Sequence, residues 1–194
     1  ISTLLQTLFA GAYRWQEDYV FLRGNGVAKP LGVLESPCLK TIARKTAAHI
    51  NYQDIRRMFA YWIGDSGVWL VSRGPAVDEL LAMEDSEGHL VWQPNAATGM
   101  PGTLIGMPAV ITEKTPALGT EGDLMLCDFS KYLIYDMNEL AIDFSEHYAF
   151  TNNKGTWRCS ERIDGQPWLK SVITLTDGST TVSPFVALSD YSAG

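Results

Sequence analysis

The feature that most constrains the fold is an apolar periodicity at the start of the chain, which ends at a glycine-rich turn. Five apolar residues recur at spacings of four, three, four and three: Leu8, Ala12, Trp15, Tyr19 and Leu22. Such spacing predicts an α-helix with one apolar face. The polar residues of the same stretch fall on its other faces: Gln6, Arg14, Glu17 and Asp18.

The helix is predicted to stop at Gly24-Asn25-Gly26, where Gly24 or Asn25 is expected to take the left-handed conformation of a helix C-terminus. A dinucleotide-binding turn would need a preceding strand, a third glycine and a following helix. Here the preceding segment is helical, Lys29 occupies the third glycine position and Pro30 follows at once. The pattern therefore favours an exit turn over a phosphate loop.

Composition indicates a folded protein of one domain or two small ones, since 46% of the 194 residues are hydrophobic and 19% are charged. A net charge of −7 argues against a dedicated nucleic-acid binder, which needs a basic surface. The local basic groups are Arg56-Arg57 and Lys40/Arg44/Lys45. We interpret both as solvated helix faces.

Cysteine usage and hydropathy bear on the compartment. The three cysteines, Cys38, Cys127 and Cys159, are far apart and form no metal-binding pair, which is typical of reduced cytosolic thiols. The sequence has neither an apolar run long enough to span a membrane nor a signal-peptide pattern. It begins with Ile1 inside a predicted helix, so we expect that a preceding segment has been cut away.

Two further helices are predicted in the first half. Asn51 is a candidate N-cap for a helix that carries Ile55, Met58, Phe59, Trp62 and Ile63 on one face. Ser72 with Pro75 is predicted to open another helix over 76–83, closed by a polar turn at 84–88. Residues 38–50 remain ambiguous.

The second half is predicted to be mainly strands, beyond a Gly/Pro-rich loop at 93–103. The segments are 104–105 with 109–112, 124–128, 132–135, 141–144, 156–162, 170–176 and 185–188, and a short buried strand at 68–71 is predicted in the first half. Helices followed by strands indicate the α+β class.

Catalytic signatures are absent from the sequence, which contains no nucleophile elbow, metalloprotease helix, P-loop or kinase motif. His49, His89 and His147 are isolated and are interpreted as surface or packed residues. Asp164 and Asp177 each precede a glycine and are interpreted as turn residues. Cys159 with His147 is the weak candidate for a nucleophile and base. We predict no catalytic, cofactor or metal site.

Several blocks in a fixed order resemble the major capsid proteins of tailed bacteriophages, of the Hong Kong ninety-seven type. The blocks are Glu17-x4-Leu22-x-Gly24-Asn25-Gly26-x3-Pro30-x-Gly32-Val33-Leu34, Val68-Trp69-Leu70-Val71-Ser72, Asp85-Ser86-Glu87-Gly88, Leu104-Ile105-Gly106-Met107-Pro108-Ala109-Val110, Cys127-Asp128-Phe129-Ser130-Lys131-Tyr132, Phe150-x-x-Asn153 and Glu161-Arg162-Ile163-Asp164-Gly165. Cys127 stands where the family has glycine.

The resemblance implies a structural shell subunit and not an enzyme. Its expected parts are a peripheral spine helix and exit turn at 1–31, an axial domain at 32–136, peripheral strands at 137–163 and a return to the axial domain at 164–194. It also implies copies of the chain in pentamers and hexamers, with scaffold, portal and maturation protease as further partners. The expected location is the virion, and the bacterial host cytoplasm before assembly, with no membrane partner and no sequence-specific binding of nucleic acid.

Two departures from the family limit what the resemblance implies. The N-terminal arm and extended hairpin loop that precede the family's spine helix have no counterpart here, so we expect this chain alone to be a monomer or small oligomer. Some relatives join an asparagine to a lysine of that hairpin, helped by a glutamate seven residues after the asparagine. Asn153 matches, but Ser160 occupies the glutamate position and Glu161 follows it. We therefore predict no autocatalytic crosslinking.

Two other functions remain open from the sequence. An encapsulin-like bacterial compartment would use the same fold to enclose a cargo enzyme, and neighbouring genes would distinguish it from a phage shell. A small hydrolase would need a pocket that joins Cys159, a histidine and an acid.

Overall fold

A computed structural model describes residues 2–84, 92 and 102–191. Within these residues the chain forms three α-helices: α1 (Ser2–Arg23), α2 (Tyr52–Tyr61) and α3 (Pro75–Leu81). Its strands are β1 (Lys40–Ile42), β2 (Val68–Ser72), β3 (Thr103–Leu104), β4 (Met107–Thr112), β5 (Leu124–Cys127), β6 (Tyr132–Ala149), β7 (Lys154–Pro167), β8 (Ile173–Thr174), β9 (Thr181–Val182) and β10 (Phe185–Leu188). Short 3-10 turns lie at Val33–Glu35, Phe129–Lys131 and Phe150–Asn152.

The main sheet has six strands in the order β1-β10-β5-β2-β4-β3. β1 pairs with β10 and β2 with β4 in parallel, whereas β5 is antiparallel to both of its neighbours and β3 is antiparallel to β4. The last strand in sequence therefore lies between the first strand and the middle of the sheet. Residues distant along the chain must meet before this sheet is complete.

Both faces of the main sheet are covered, which explains why its central strands are continuous apolar runs. Side chains alternate between the faces, so Trp69, Leu124 and Leu126 pack under α2 and α3, whereas Leu70 and Met125 pack on the opposite face. All four residues of β5 and all four of β10 are buried. The sheet is the hydrophobic centre of the molecule.

The second large element is a two-stranded antiparallel ribbon of β6 and β7. Its register runs from Tyr132 opposite Pro167 to Ala149 opposite Lys154, with irregularities between Asp136 and Asn138, Asn138 and Ala141, and Ser145 and Ala149. The sequence predicted two separate strands at 132–135 and 141–144, and the structure joins them into one. In the predicted strand at 170–176 only Ile173–Thr174 is paired, with β9.

The predicted end of α1 is confirmed at Arg23, but its conformation differs from the prediction. The positive φ angles fall at Gly26 (73°) and Ala28 (55°), and not at Gly24 or Asn25. Gly24 is required for another reason, because a Cβ there would lie 2.1 Å from the Pro30 carbonyl oxygen. The exit turn folds back so closely that its backbone excludes any side chain at this position.

The predicted apolar face of α1 is exposed in this chain for most of its length. Leu8 is 60% exposed and Trp15 42% exposed, although Leu22 is buried at the C-terminal end. The face that packs on the ribbon instead carries Tyr13 and Phe21, whose neighbours are described below. Periodicity counted the apolar residues correctly but could not tell which of them this chain itself covers.

α2 begins after Asn51 as predicted, and the Asp54 carboxylate accepts the Asn51 backbone N–H at 3.2 Å. This contact satisfies a donor at the helix start. Ile55 and Met58 are buried, but the helix ends at Tyr61, before the predicted Trp62 and Ile63. A backbone bridge between Trp62 and Ser183 replaces the next turn.

α3 begins at Pro75, with Gly74 at the N-cap in place of the predicted Ser72, which is the last residue of β2. Its Gly74 carbonyl accepts the Asp78 N–H at 3.2 Å. Most of the predicted turn at 84–88 and most of the predicted loop at 93–103 lie outside the described residues, and Thr103 already belongs to β3.

Arg44 corrects our interpretation of the local basic group as a solvated helix face. It lies after β1, not on a helix, and its guanidinium is buried, with Nη2 2.7 Å from Asp123 Oδ2 and Nη1 donating to the His49 carbonyl at 3.0 Å. Burial raises the pKa of Asp123, against the hydrogen bonds and the charge that lower it. The ion pair ties the segment after β1 to the start of β5.

Candidate functional site

The isolated histidines take part in local contacts. His49 Nδ1 lies 2.6 Å from Glu79 Oε1, and Glu79 Oε2 accepts the Ile50 N–H at 2.7 Å. This contact fastens the segment before α2 to α3. His147 is exposed on β6, and His89 lies outside the described residues.

The structure does not bring Cys159 and His147 together. Cys159 lies opposite Ile142 in the ribbon, and His147 is five residues further along β6, which is roughly 16 Å at the rise of an extended strand. The Cys159 carbonyl instead accepts the Tyr13 hydroxyl at 3.0 Å. A nucleophile and base on these residues are therefore not assembled.

The aspartates of the two Asp-Gly pairs accept hydrogen bonds from nearby backbone N–H groups. Asp177 accepts the Ser179 and Thr180 N–H groups at 3.0 and 2.9 Å, and the hydrogen bonds from Thr180 and Ser179 lower its pKa. Asp164 is not the turn residue that we predicted, because it lies within β7 opposite Tyr135, where its carboxylate accepts the Gly165 N–H at 2.8 Å. Across the described ranges, no group of three or more metal-binding side chains comes together.

The candidate crosslinking residues occupy different parts of the ribbon. Asn153 has a φ of 49° in the turn between β6 and β7. Glu161 is eight residues further along β7, roughly 26 Å away at the rise of an extended strand. The absence of crosslinking stays a prediction.

Exposed apolar side chains are a prominent surface feature of the described part of the chain. On α1 they form the α1 stripe, which consists of Leu4, Leu8 and Trp15. On the ribbon they include Leu133, Ile134, Tyr135, Met137, Phe144 and Tyr148. Large exposed apolar areas mark sites of protein contact.

An apolar groove of about 540 Å³ lies where α1, the main sheet and the base of the ribbon meet. Phe21, Val110, Phe129 and Ile134 contribute its apolar wall. Lys114 at its rim forms an ion pair with Asp18 of α1. One turn earlier, the Trp15 indole donates to Glu113 Oε1 at 2.7 Å. These contacts fix α1 against the edge of the sheet.

The exit turn joins the end of α1 to both strands of the ribbon. The Leu31 N–H donates to the Gly165 carbonyl at 2.8 Å, and the Tyr132 hydroxyl donates to the Leu31 carbonyl at 2.9 Å. The Gly32 N–H returns to the Gly24 carbonyl at 2.7 Å. The long helix α1 and the long β6–β7 ribbon therefore both extend from one junction at the base of the sheet.

Residues 1–177 match the phage capsid family. The chain belongs to the phage capsid family. Two solved structures with the same fold are the capsid of an empty GTA particle and that of a native GTA particle, both computed with C5 symmetry. Their TM-scores are 0.77 and 0.76, at 18% and 20% sequence identity. No curated protein matches the sequence.

The two matches cover 99% of this chain and 67% and 66% of the GTA capsid chains. The chain therefore spans about two thirds of their length. The likeness confirms the predicted α+β capsid fold of the Hong Kong ninety-seven type, with α1 as its long helix. Family membership confirms the predicted role as a structural subunit of a capsid, and hence as a virion component.

Sequence reasoning missed the junction between α1, the sheet and the ribbon. Its members are spread over Trp15, Leu31, Glu113, Tyr132 and Gly165, which share no local pattern.

Within the described residues, no helix is both long and apolar enough to cross a membrane.

Proposed function

We propose that this chain builds the icosahedral shell of a phage or prophage by contacts between its own copies, and that the shell encloses viral DNA. The observation that carries the proposal is the α1 stripe together with the exposed apolar residues of the ribbon. Covering these side chains would be favourable, because burial of apolar surface gains about 25 cal/mol per Å². Neighbouring copies would withdraw them.

The proposed subunit has a peripheral and an axial domain. The peripheral part comprises α1 with its exit turn (1–31) and the returning strands (137–163). The axial part comprises 32–136 and 164–194. This division is supported by the way that β10 rejoins the main sheet and by the separate pairing of β6 with β7.

The proposed assembly repeats one heterologous contact around a symmetry axis, which closes into pentamers and hexamers. Scaffold, portal and maturation protease are the further proteins that such a shell would meet during assembly. The subunit would reside in the bacterial host cytoplasm before assembly. Its charge of −7 supports an inner surface that encloses DNA without sequence-specific contacts.

The test is electron microscopy and analytical ultracentrifugation of the complete gene product that carries this chain. We expect rings or closed shells, and nuclease-protected DNA in particles taken from host cells. Shells that hold a protein cargo and no DNA would replace the phage function with the encapsulin-like one. Only small soluble species under every assembly condition would contradict both.

A pair of variants tests the α1 stripe directly. Leu8→Glu is expected to abolish shells, because it places a charge in an apolar contact, while the free energy of unfolding of the subunit stays unchanged. Gln6→Glu adds the same charge to the same exposed part of α1 outside the stripe and is expected to assemble normally. Normal shells from Leu8→Glu would exclude the stripe as an assembly contact.

A further inference from the structure

α1 packs along one face of the ribbon through two contacts that bracket its middle. At one end the Tyr13 hydroxyl donates to the Cys159 carbonyl at 3.0 Å. At the other end Phe21 lies edge-on to Tyr132, with the ring centroids 5.6 Å apart, and Gly165 faces both rings. The helix thus follows β7 over about two turns.

Glu17 and Glu161 occupy the centre of this contact. Glu17 is four residues from both Tyr13 and Phe21, so all three share one helix face. Glu161 lies between Cys159 and Gly165 at even spacing, so these three share one face of the strand. The two bracketing contacts place Glu161 beside Glu17, the side chains of Glu17 and Glu161 share a hydrogen bond, and both residues are half-buried.

The charges near this pair are also acidic. Asp136 of β6 lies directly opposite Ile163, on the same face of the ribbon as Glu161. Arg162 neighbours Glu161 in sequence but belongs to the opposite face of the strand, and it is exposed. Among the described side chains, Glu17 on α1 and Asp136 on β6 are the charges that act on Glu161.

We propose that Glu17 and Glu161 form a pH-sensitive clasp between α1 and the ribbon, closed when the two carboxyl groups share a proton and loosened when both are ionised. The proposal does not depend on shell formation, since both residues belong to one chain. A shared proton gives a hydrogen bond across the contact, whereas two carboxylates repel each other.

The pKa of Glu161 supports this arrangement. Partial burial, the hydrogen bond to Glu17 and the charges of Glu17 and Asp136 raise the pKa of Glu161 to about 7. The folded protein then binds more protons than the unfolded chain between pH 4.5, the ordinary value, and about 7. Stability from the clasp is complete below this window and is lost as the pH rises through it.

The test combines amide hydrogen exchange with direct titration. In the unaltered protein, we expect protection of the α1 and β7 amides, corrected for intrinsic exchange, to fall by about three- to tenfold from pH 6 to pH 8. Glu161→Gln should remove most of this change, because the amide can donate to Glu17 at both pH values. Glu146→Gln, on an exposed residue of β6 nearer the hairpin turn, should retain it.

Carboxyl-carbon NMR of the unaltered protein tests the proposal without a variant. A titration midpoint for Glu161 near 7 is expected, and a midpoint near 4.5 would overturn the clasp. Protection in Glu161→Gln that falls with pH as steeply as in the unaltered protein would overturn it too. Both readouts are taken on the unassembled chain, so failure here leaves the proposed function standing.

Discussion

The main sheet mixes parallel and antiparallel pairs, the β6–β7 ribbon is antiparallel throughout, and the two are covered to different extents. The sheet is covered on both faces, and its strands β5 and β10 are buried throughout. The ribbon has two strands only, and Tyr148 near its end is 83% exposed. A two-stranded ribbon is marginal in water on its own. The comparison teaches that the sheet stabilises the subunit, whereas the ribbon depends on what lies against it.

The largest expected effect is the difference in stability between replacing a buried tryptophan and replacing an exposed one. Trp69→Ala removes a fully buried side chain whose indole donates to the Leu104 carbonyl at 2.9 Å. We expect a loss of about 3–5 kcal/mol in the free energy of unfolding, measured by urea denaturation. Trp168→Ala is the matched control, because this side chain is 67% exposed and should cost less than about 1 kcal/mol. Equal losses of unfolding free energy in the two variants would contradict the distinction between buried and exposed surfaces.

An intermediate effect is expected where α1 joins the sheet and the ribbon. Gly24→Ala places a Cβ against backbone oxygens at 2.1 and 2.6 Å, which we expect to cost about 1–3 kcal/mol of unfolding free energy. Gly11→Ala is the control on the same helix, because a Cβ there meets no atom within 4 Å. It should stabilise α1 by about 0.5–1 kcal/mol. Thermal unfolding followed by circular dichroism measures both, and a stabilising Gly24→Ala would show that the exit turn is loose.

The smallest effect is expected on the ribbon itself. Arg158→Gln breaks an exposed ion pair, in which Arg158 Nη2 lies 2.7 Å from Asp143 Oδ2. Exposed pairs of this kind contribute about 0–1 kcal/mol. The buried Arg44–Asp123 pair provides the contrast, since Asp123→Asn leaves a buried guanidinium without its counter-charge. Urea denaturation should show a larger loss of unfolding free energy for Asp123→Asn than for Arg158→Gln. The reverse would contradict the comparison.

The sequence was sufficient for the central strands of the sheet because their signals are local, whereas β1 lies in the segment 38–50 that remained ambiguous. Continuous apolar runs predicted β2, β5 and β10, and the Asn51 cap predicted α2 to within its last turn. The ribbon was predicted in fragments, because Asp136 and Asn138 interrupt the apolar pattern at the register irregularities. A long pairing partner overrides such interruptions, and periodicity cannot detect it.

The functional surfaces were less accessible to sequence reasoning than the family was. Ordered blocks such as 127–132 were enough to suggest the capsid family, which the match over 1–177 confirms. Periodicity identified the apolar face of α1 but not which face packs on the ribbon. Glu17 was placed on another face of the helix, and that face is the one that meets β7. Only tertiary structure pairs it with Glu161.

The position of β10 also affects when the protein can fold. It lies between β1 and β5, although about 140 residues separate it from β1 in sequence. A nascent chain therefore exposes both neighbouring strand edges while the ribosome makes the intervening residues, at about 5–20 residues per second. The sheet closes only after residues 185–188 emerge. Subunits that are still being synthesised thus lack a finished sheet, which delays their association until residues 185–188 have been made.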